Sequence, residues 1–135
     1  MPLLVDTGIL FALADTSDAW HGKTRRFLAS RHETLLIPVT VLPEAAYLLH
    51  DRIGSHAERA LVRSVADGEL AVEEIRGHDW RRIEELMGEY EEIGLVDASV
   101  VAVAERLKLH VIATTDRRHF GAVRPKHVER FTLMP

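Results

Sequence analysis

Cysteine is absent from the 135-residue sequence, and this absence excludes disulfide bonds, thiol catalysis and zinc sites built on thiolates. Long apolar stretches are lacking as well, since no uninterrupted run approaches the roughly 18 residues that a membrane-spanning helix requires. The apolar start of the chain has no basic residues before it and is followed at once by Asp6, so we expect no secretory signal. Together these features predict a cytoplasmic protein.

Positive charge is not in excess either. The 17 basic residues are outnumbered by 21 acidic ones, and the formal net charge is −4. This balance argues against a protein that binds nucleic acid through bulk basic charge, but an enzyme that grips phosphate through metal ions is compatible with it. Hydrophobic residues make up 47% and charged residues 28%, which are ordinary values for a globular protein. The length predicts a single domain over residues 1–135.

Short apolar runs alternate with helical patterns along the chain. The runs predicted as strands lie at 3–5, 35–37, 70–72, 111–113 and 128–133. Runs this short, and apolar on both faces, are typical of a parallel sheet that is covered on both sides. Between them, helices are predicted over 19–30, 40–53, 55–66, 79–90 and 97–108, with Thr40, Asp79 and Asp97 as candidate N-caps. The alternation predicts an α/β fold.

Acidic residues from four separate segments share one edge of the predicted sheet. Asp6 directly follows the first strand, and Asp116 follows the fourth strand by two residues. Glu44 lies in the first turn of the helix after the second strand, and Asp97 begins the helix before the fourth. Because the carboxyl ends of parallel strands meet at one edge, where ligands bind, we expect these carboxylates to converge there.

Carboxylates gathered in one crevice repel each other, and a hard divalent cation removes this penalty. Mg²⁺ and Mn²⁺ prefer oxygen ligands, and such an ion can orient a phosphodiester and lower the pKa of an attacking water. Each acid taken alone also has a structural interpretation, as an N-cap for Asp6, Asp97 or Asp116 and as a favourable charge in the helix dipole for Glu44. Taken together they favour metal-assisted phosphodiester hydrolysis.

Four motifs carry a family resemblance. They are Val-Asp-Thr-Gly at 5–8, Pro-Glu-Ala at 43–45, Leu-Val-Asp-Ala-Ser at 95–99, and Ile-Ala-Thr-Thr-Asp-Arg-Arg-His-Phe at 112–120. In this order and at these separations, the set resembles the PIN domain family, and in particular the toxin subunits of VapBC-type toxin–antitoxin pairs. The resemblance implies a three-layer α/β/α sandwich around a short, mostly parallel sheet of four to five strands. It also implies ribonuclease activity that depends on Mg²⁺ or Mn²⁺.

The resemblance further assigns roles to individual residues. The supporting hydroxyls of the family correspond to Thr7 and Thr114, whereas Gly8 departs from the Ser or Asn often found at its position. An RNA substrate, a small antitoxin partner and a homodimer are also implied. The family's metal-binding and catalytic quartet corresponds to the four carboxylates already named: Asp6, Glu44, Asp97 and Asp116.

Basic side chains are concentrated after the fourth strand, beside the predicted acidic edge. Arg117 and Arg118 are candidate RNA contacts, because a guanidinium pairs bidentately with phosphate; solvent-facing charge on a helix is the alternative interpretation. His119 is the histidine nearest to the acidic residues, and a stacking or phosphate contact is the role considered for it.

Other interpretations of the acidic residues fit less well. An aspartic protease needs two facing aspartates in a largely β scaffold, which the helical periodicity here disfavours. A receiver domain needs an acceptor Asp at the end of its third strand, where Glu73 and Glu74 stand instead. No glycine-rich phosphate loop occurs. Two alternatives remain open: a PIN-like module that binds a partner without cutting RNA, and a PIN nuclease that processes RNA without an antitoxin.

Overall fold

Five strands and seven helices make up the computed structural model, which describes residues 1–135. The strands are β1 (Leu3–Val5), β2 (Leu35–Pro38), β3 (Leu70–Glu73), β4 (Val111–Ala113) and β5 (Thr132–Met134). The helices are α1 (Thr7–Ala14), α2 (His21–Ala29), α3 (Val41–Arg52), α4 (Ser55–Ala66), α5 (Gly77–Glu89), α6 (Leu95–Leu107) and α7 (Arg117–Ala122). None of these helices combines the length and the apolar character needed to cross a membrane.

The strands form one sheet in the order β3-β2-β1-β4-β5, and every neighbouring pair is parallel. The predicted α/β class and the five strands are confirmed, and the sheet is parallel throughout rather than mostly so. The fifth strand is shorter than the predicted 128–133, because only Thr132–Met134 pairs with β4.

Helices cover both faces of the sheet. The chain moves from β1 to β2 to β3 through α1–α4, then returns through α5 and α6 to β4 and continues through α7 to β5. Because crossovers between parallel strands are right-handed, this change of direction places α5–α7 on the opposite face from α1–α4. The contacts agree, since α1 packs on α2 and α3 while α5 packs on α6. The three-layer arrangement expected from the resemblance is therefore present.

The core is centred on β1 and α6. All three residues of β1 are buried, and α6 is buried continuously from Ala98 to Glu105. This burial explains why α6 is apolar nearly all round, since it lies between the sheet and α5 rather than against solvent.

A polar network joins α5 to α6 at the border of this core. The Arg106 guanidinium donates from Nε to Asp79 Oδ2 at 3.0 Å and from Nη2 to Glu73 Oε2 at 3.2 Å. Arg82 donates to both carboxylate oxygens of Glu105, at 2.7 and 3.0 Å. Asp79 is only 1% exposed, so its charge depends on Arg106 for compensation.

Two of the predicted N-caps are wrong. Helix α5 begins two residues earlier than predicted, and Asp79 accepts a hydrogen bond from the backbone N–H of Arg76, which is the N-cap residue. Helix α6 starts after Gly94, so Asp97 is its third residue and not its cap. Thr40 does stand at the N-cap position of α3, but its side chain makes no capping hydrogen bond.

Candidate metal centre

The predicted site lies where the strand order of the sheet reverses. β1 is flanked by β2 on one side and β4 on the other, and parallel sheets bind ligands in the crevice at such a point. Asp6 follows β1 and Asp116 follows β4 by two residues, so both reach this crevice. An open cleft of about 610 Å³ occupies it, and its lining includes all four predicted carboxylates: Asp6, Glu44, Asp97 and Asp116.

Asp6 is held rigidly by its neighbours. As the N-cap of α1, it accepts the backbone N–H of Ile9 on Oδ1 at 3.2 Å, and its Oδ2 accepts the hydroxyl of Thr114. The same Thr114 oxygen accepts the backbone N–H of Asp116 at 2.9 Å. Thr114 therefore links the aspartate after β1 to the aspartate after β4.

The environment of Asp6 disfavours its charge. The residue is 5% exposed, and this burial is the main cause that raises its pKa from 3.8 to about 7. The nearby carboxylates of Asp97 and Asp116 raise the pKa further, whereas the hydrogen bonds from Thr114 and Ile9 oppose the rise. A cation in the cleft would reverse this balance, because it stabilises the ionised form.

Asp97 projects from the first turn of α6 and accepts no hydrogen bond from the protein. Burial first, and then the charges of Asp116 and Glu44, raise the pKa of its carboxyl, while His119 lowers it. Glu44 lies in the first turn of α3, where its exposed side chain lines the cleft. Because Asp97 is not a helix cap, both of its oxygens remain available to a ligand.

Asp116 and His119 form a close pair at the start of α7. The Oδ1 atom of Asp116 accepts the backbone N–H of His119 at 2.9 Å, which makes Asp116 the N-cap of this helix. Its Oδ2 atom lies 2.7 Å from His119 Nδ1, and the same nitrogen is 3.8 Å from Asp97 Oδ2. One ligand atom from each of these three residues falls within 4.8 Å of the others.

Two further observations indicate that the cleft suits a hard cation with its bound waters. The hydroxyl of Thr7 is buried, lines the cleft and has no hydrogen-bond partner in the protein, so it is free to contact a ligand. The donors are otherwise mainly carboxylate oxygens, which Mg²⁺ and Mn²⁺ prefer. The predicted role of Thr7 in orienting a carboxylate corresponds to no hydrogen bond in the structure.

Gly8 is explained by a close neighbour. A Cβ atom placed on Gly8 would lie closer than 3.0 Å to Thr115 Oγ1. The hydroxyl of Thr115 therefore occupies the space that the expected Ser or Asn side chain would need. Thr115 lines the same cleft, so a hydroxyl is still supplied there, from the segment after β4 rather than from α1.

The two candidate RNA-contact arginines lie beside the cleft rather than in it. Arg118 is exposed, and its Nη2 donates to both oxygens of Glu92, at 3.0 and 3.1 Å. Arg117 donates to the backbone oxygen of Pro135 and stacks over the ring of Trp20 at 5.6 Å. Glu92 was not singled out from the sequence, because nothing local connects it with a site 26 residues further along the chain.

Comparison with known proteins identifies the family. The model of the PIN domain matches residues 3–124. The chain belongs to the PIN domain family. This PIN domain is 31% identical over 135 residues to Ribonuclease VapC26 of Mycobacterium tuberculosis, an alignment that covers 98% of this chain and 100% of the relative.

Solved structures share the fold of this PIN domain. The crystal structure of Mycobacterium tuberculosis VapC20, described as a sarcin–ricin loop cleaving toxin, superposes with a TM-score of 0.83 at 26% identity and covers 93% of this chain and 98% of that one. A chain of a toxin–antitoxin complex from Klebsiella pneumoniae superposes with a TM-score of 0.70 at 21% identity, covering 90% and 92% respectively. The expected family and fold are thus confirmed.

Proposed function

We propose that this PIN domain is an endoribonuclease that depends on Mg²⁺ or Mn²⁺ and acts as the toxin of a toxin–antitoxin pair. The observation that carries the proposal is the convergence of carboxylates from the N-terminal ends of α1, α3, α6 and α7 on one cleft at the switch point of the sheet. The ribonuclease relative at 31% identity supports the same activity. Residues 1–135 act as one nuclease domain.

The carboxylates have distinct tasks in this proposal. Asp6, Asp97 and Asp116 bind the metal, and Glu44 closes the cleft from α3. An ion held there would neutralise charge on the phosphodiester and lower the pKa of the attacking water. Thr114 keeps Asp6 and Asp116 in register through its two hydrogen bonds, and Thr7 offers its unpartnered hydroxyl to the contents of the cleft.

Burial without a cation is costly for these acids, and this cost disfavours a scaffold that merely binds a partner. The pKa of Asp6 rises to about 7 and that of Asp97 is also raised, so the metal-free fold holds carboxylates in an unfavourable charge state. A non-catalytic module gains nothing from this arrangement, whereas a metal-binding enzyme requires it.

RNA contacts outside the cleft are assigned to Arg117 and Arg118. Both lie on α7 next to the bound phosphate expected at Asp116, and both side chains are exposed. Replacing either by Ala should weaken RNA binding and flatten its salt dependence, because RNA binding releases one counterion fewer for each phosphate contact that is lost. Unchanged salt slopes in both variants would leave these arginines as ordinary surface charge.

The proposed protein partners are a small antitoxin and a second copy of this chain. An apolar groove of about 310 Å³ between α1 and α4, lined by Leu10, Leu13, Ala57 and Leu61 among others, suits the apolar face of a partner helix. Co-purification with the product of the adjacent gene distinguishes the toxin from an RNA-processing nuclease that has no antitoxin.

The decisive experiment is cleavage of total cellular RNA by purified protein with and without Mn²⁺ or Mg²⁺. Asp97→Asn should reduce the rate at least about 100-fold, since even losing an outer partner of a metal ligand costs 10–100-fold. Asp67→Asn, the same substitution at an exposed position after α4, is the matched control and should cleave normally. Cleavage by Asp97→Asn at the wild-type rate would refute the proposed site.

A further inference from the structure

His119 faces the metal centre with one ring nitrogen and a carboxylate with the other. Its Nδ1 atom is 2.7 Å from Asp116 Oδ2 and 3.8 Å from Asp97 Oδ2. Adjacent ligands of an octahedral ion with bonds of about 2.1 Å stand about 3 Å apart and opposite ones about 4.2 Å, so the two separations from Nδ1 lie close to the range expected for ligands of one ion. No other histidine lines this cleft.

A carboxylate, that of Glu92, lies on the opposite side of the imidazole. The Nε2 atom lies 3.8 Å from Glu92 Oε2, and both oxygens of Glu92 accept hydrogen bonds from Arg118. Histidines that bind metals nearly always direct their second nitrogen at a carboxylate or carbonyl, which fixes the tautomer and the ring orientation. The exposed ion pair with Arg118 contributes little to stability, but it includes the Glu92 oxygen that faces the ring.

We propose that His119 Nδ1 is a further protein ligand of the metal centre, with Glu92 as its outer partner, and that this nitrogen shifts the preference of the site from Mg²⁺ toward Mn²⁺. The inference rests on the proposed function, because it takes the metal centre from it. When Nδ1 binds the ion, the ring hydrogen resides on Nε2, which lies 3.8 Å from Glu92 Oε2.

The choice of metal follows from the donor set. Mg²⁺ demands oxygen ligands and gives up its waters reluctantly. First-row transition ions bind nitrogen more readily, and their affinity for a mixed nitrogen and oxygen site exceeds that of a purely hard ion. A centre with carboxylates alone would discriminate little between Mg²⁺ and Mn²⁺, whereas one with an imidazole favours Mn²⁺.

The test is a pulsed electron paramagnetic resonance measurement on protein loaded with Mn²⁺, without RNA. Electron spin-echo modulation detects a ¹⁴N nucleus bound directly to the ion. We expect this modulation in the wild type and in His110→Asn, an exposed histidine before β4 that serves as the matched control, and its loss in His119→Asn. Labelling all histidines with ¹⁵N in the unaltered protein should change the modulation, and this arm needs no substitution that affects folding.

Calorimetric titrations complete the experiment. His119→Asn should lower the affinity for Mn²⁺ by about 10–100-fold, with a smaller loss for Mg²⁺, and Glu92→Gln should lower the affinity for Mn²⁺ less than His119→Asn does. Binding of Mn²⁺ that is lost in Asp97→Asn but shows no histidine nitrogen would overturn the inference and leave the proposed function standing. Absent binding, or binding that is indifferent to Asp97→Asn, would overturn both.

Discussion

Replacing Asp6 by Asn should stabilise the metal-free protein, and the gain should grow as the pH rises. The pKa of Asp6 is raised from 3.8 to about 7, chiefly by burial. Below pH 4 the carboxyl is protonated in the folded and unfolded states, so the wild type carries no penalty. Between pH 4 and 7 the unfolded chain has released the proton and the folded state retains it, so stability falls. Above pH 7 the penalty is complete.

The size of the effect follows from the same values. At about 1.4 kcal/mol for each pKa unit, a rise of about three units corresponds to about 4 kcal/mol. Asn avoids this cost but must rearrange the hydrogen bonds with Ile9 and Thr114, which costs about 1 kcal/mol. We therefore expect a net gain of about 3 kcal/mol at pH 8, or about 10 °C in melting temperature for a domain of this size, and little or no gain at pH 4.

The assay is chemical or thermal unfolding in EDTA at a series of pH values and constant ionic strength. Asp15→Asn is the matched control, because the hydrogen bonds from Ser17 lower the pKa of that exposed carboxyl. A lowered pKa stabilises the wild-type fold at pH values above the titration range. Asp15→Asn should therefore become less stable than the wild type as the pH rises, which is opposite in sign to the effect of Asp6→Asn. Parallel pH profiles for the wild type and Asp6→Asn would refute the account of a buried, destabilised carboxylate.

Three further outcomes are expected. Gly8→Ser should destabilise the fold by about 1–3 kcal/mol through the clash with Thr115 Oγ1, and adding Thr115→Ala should restore most of the loss in urea unfolding; no recovery would place the clash elsewhere. Arg106→Ala should cost about 3–5 kcal/mol because it leaves the buried Asp79 uncompensated, and a cost under 1 kcal/mol in the same assay would contradict this. Mn²⁺ at about 100 times its dissociation constant should add about 2.7 kcal/mol to the wild type and much less to Asp6→Asn in melting scans; equal shifts would mean that the ion binds elsewhere.

Much of the site could be predicted because parallel strands end at a common edge. Asp6 and Asp116 follow the short apolar runs that form β1 and β4, and their meeting requires only that these strands be parallel. Glu44 could be placed by the same reasoning, since the helix after β2 starts at that edge. These inferences need the order of elements and no knowledge of side-chain packing.

The remainder depends on contacts between distant segments. The sequence suggested Asp97 as the N-cap of α6, because the actual N-cap, Gly94, has no side chain that could mark the start of the helix. The two apolar residues between them were therefore assigned to the preceding loop. The clash that selects glycine at position 8 comes from Thr115, which follows β4 and is far from Gly8 in the sequence. The Arg118–Glu92–His119 arrangement likewise joins α7 to the loop after α5, and local periodicity carries no information about it.

The strand order has a consequence for folding during synthesis on the ribosome. Because synthesis runs from the N-terminus, Asp6 leaves the ribosome well before Asp116 and before β4, the strand that pairs with β1. An unfinished chain can therefore form β1, β2 and β3 while the central strand still lacks a neighbour on one side. The proposed metal centre can therefore assemble only after both β4 and Asp116 have emerged.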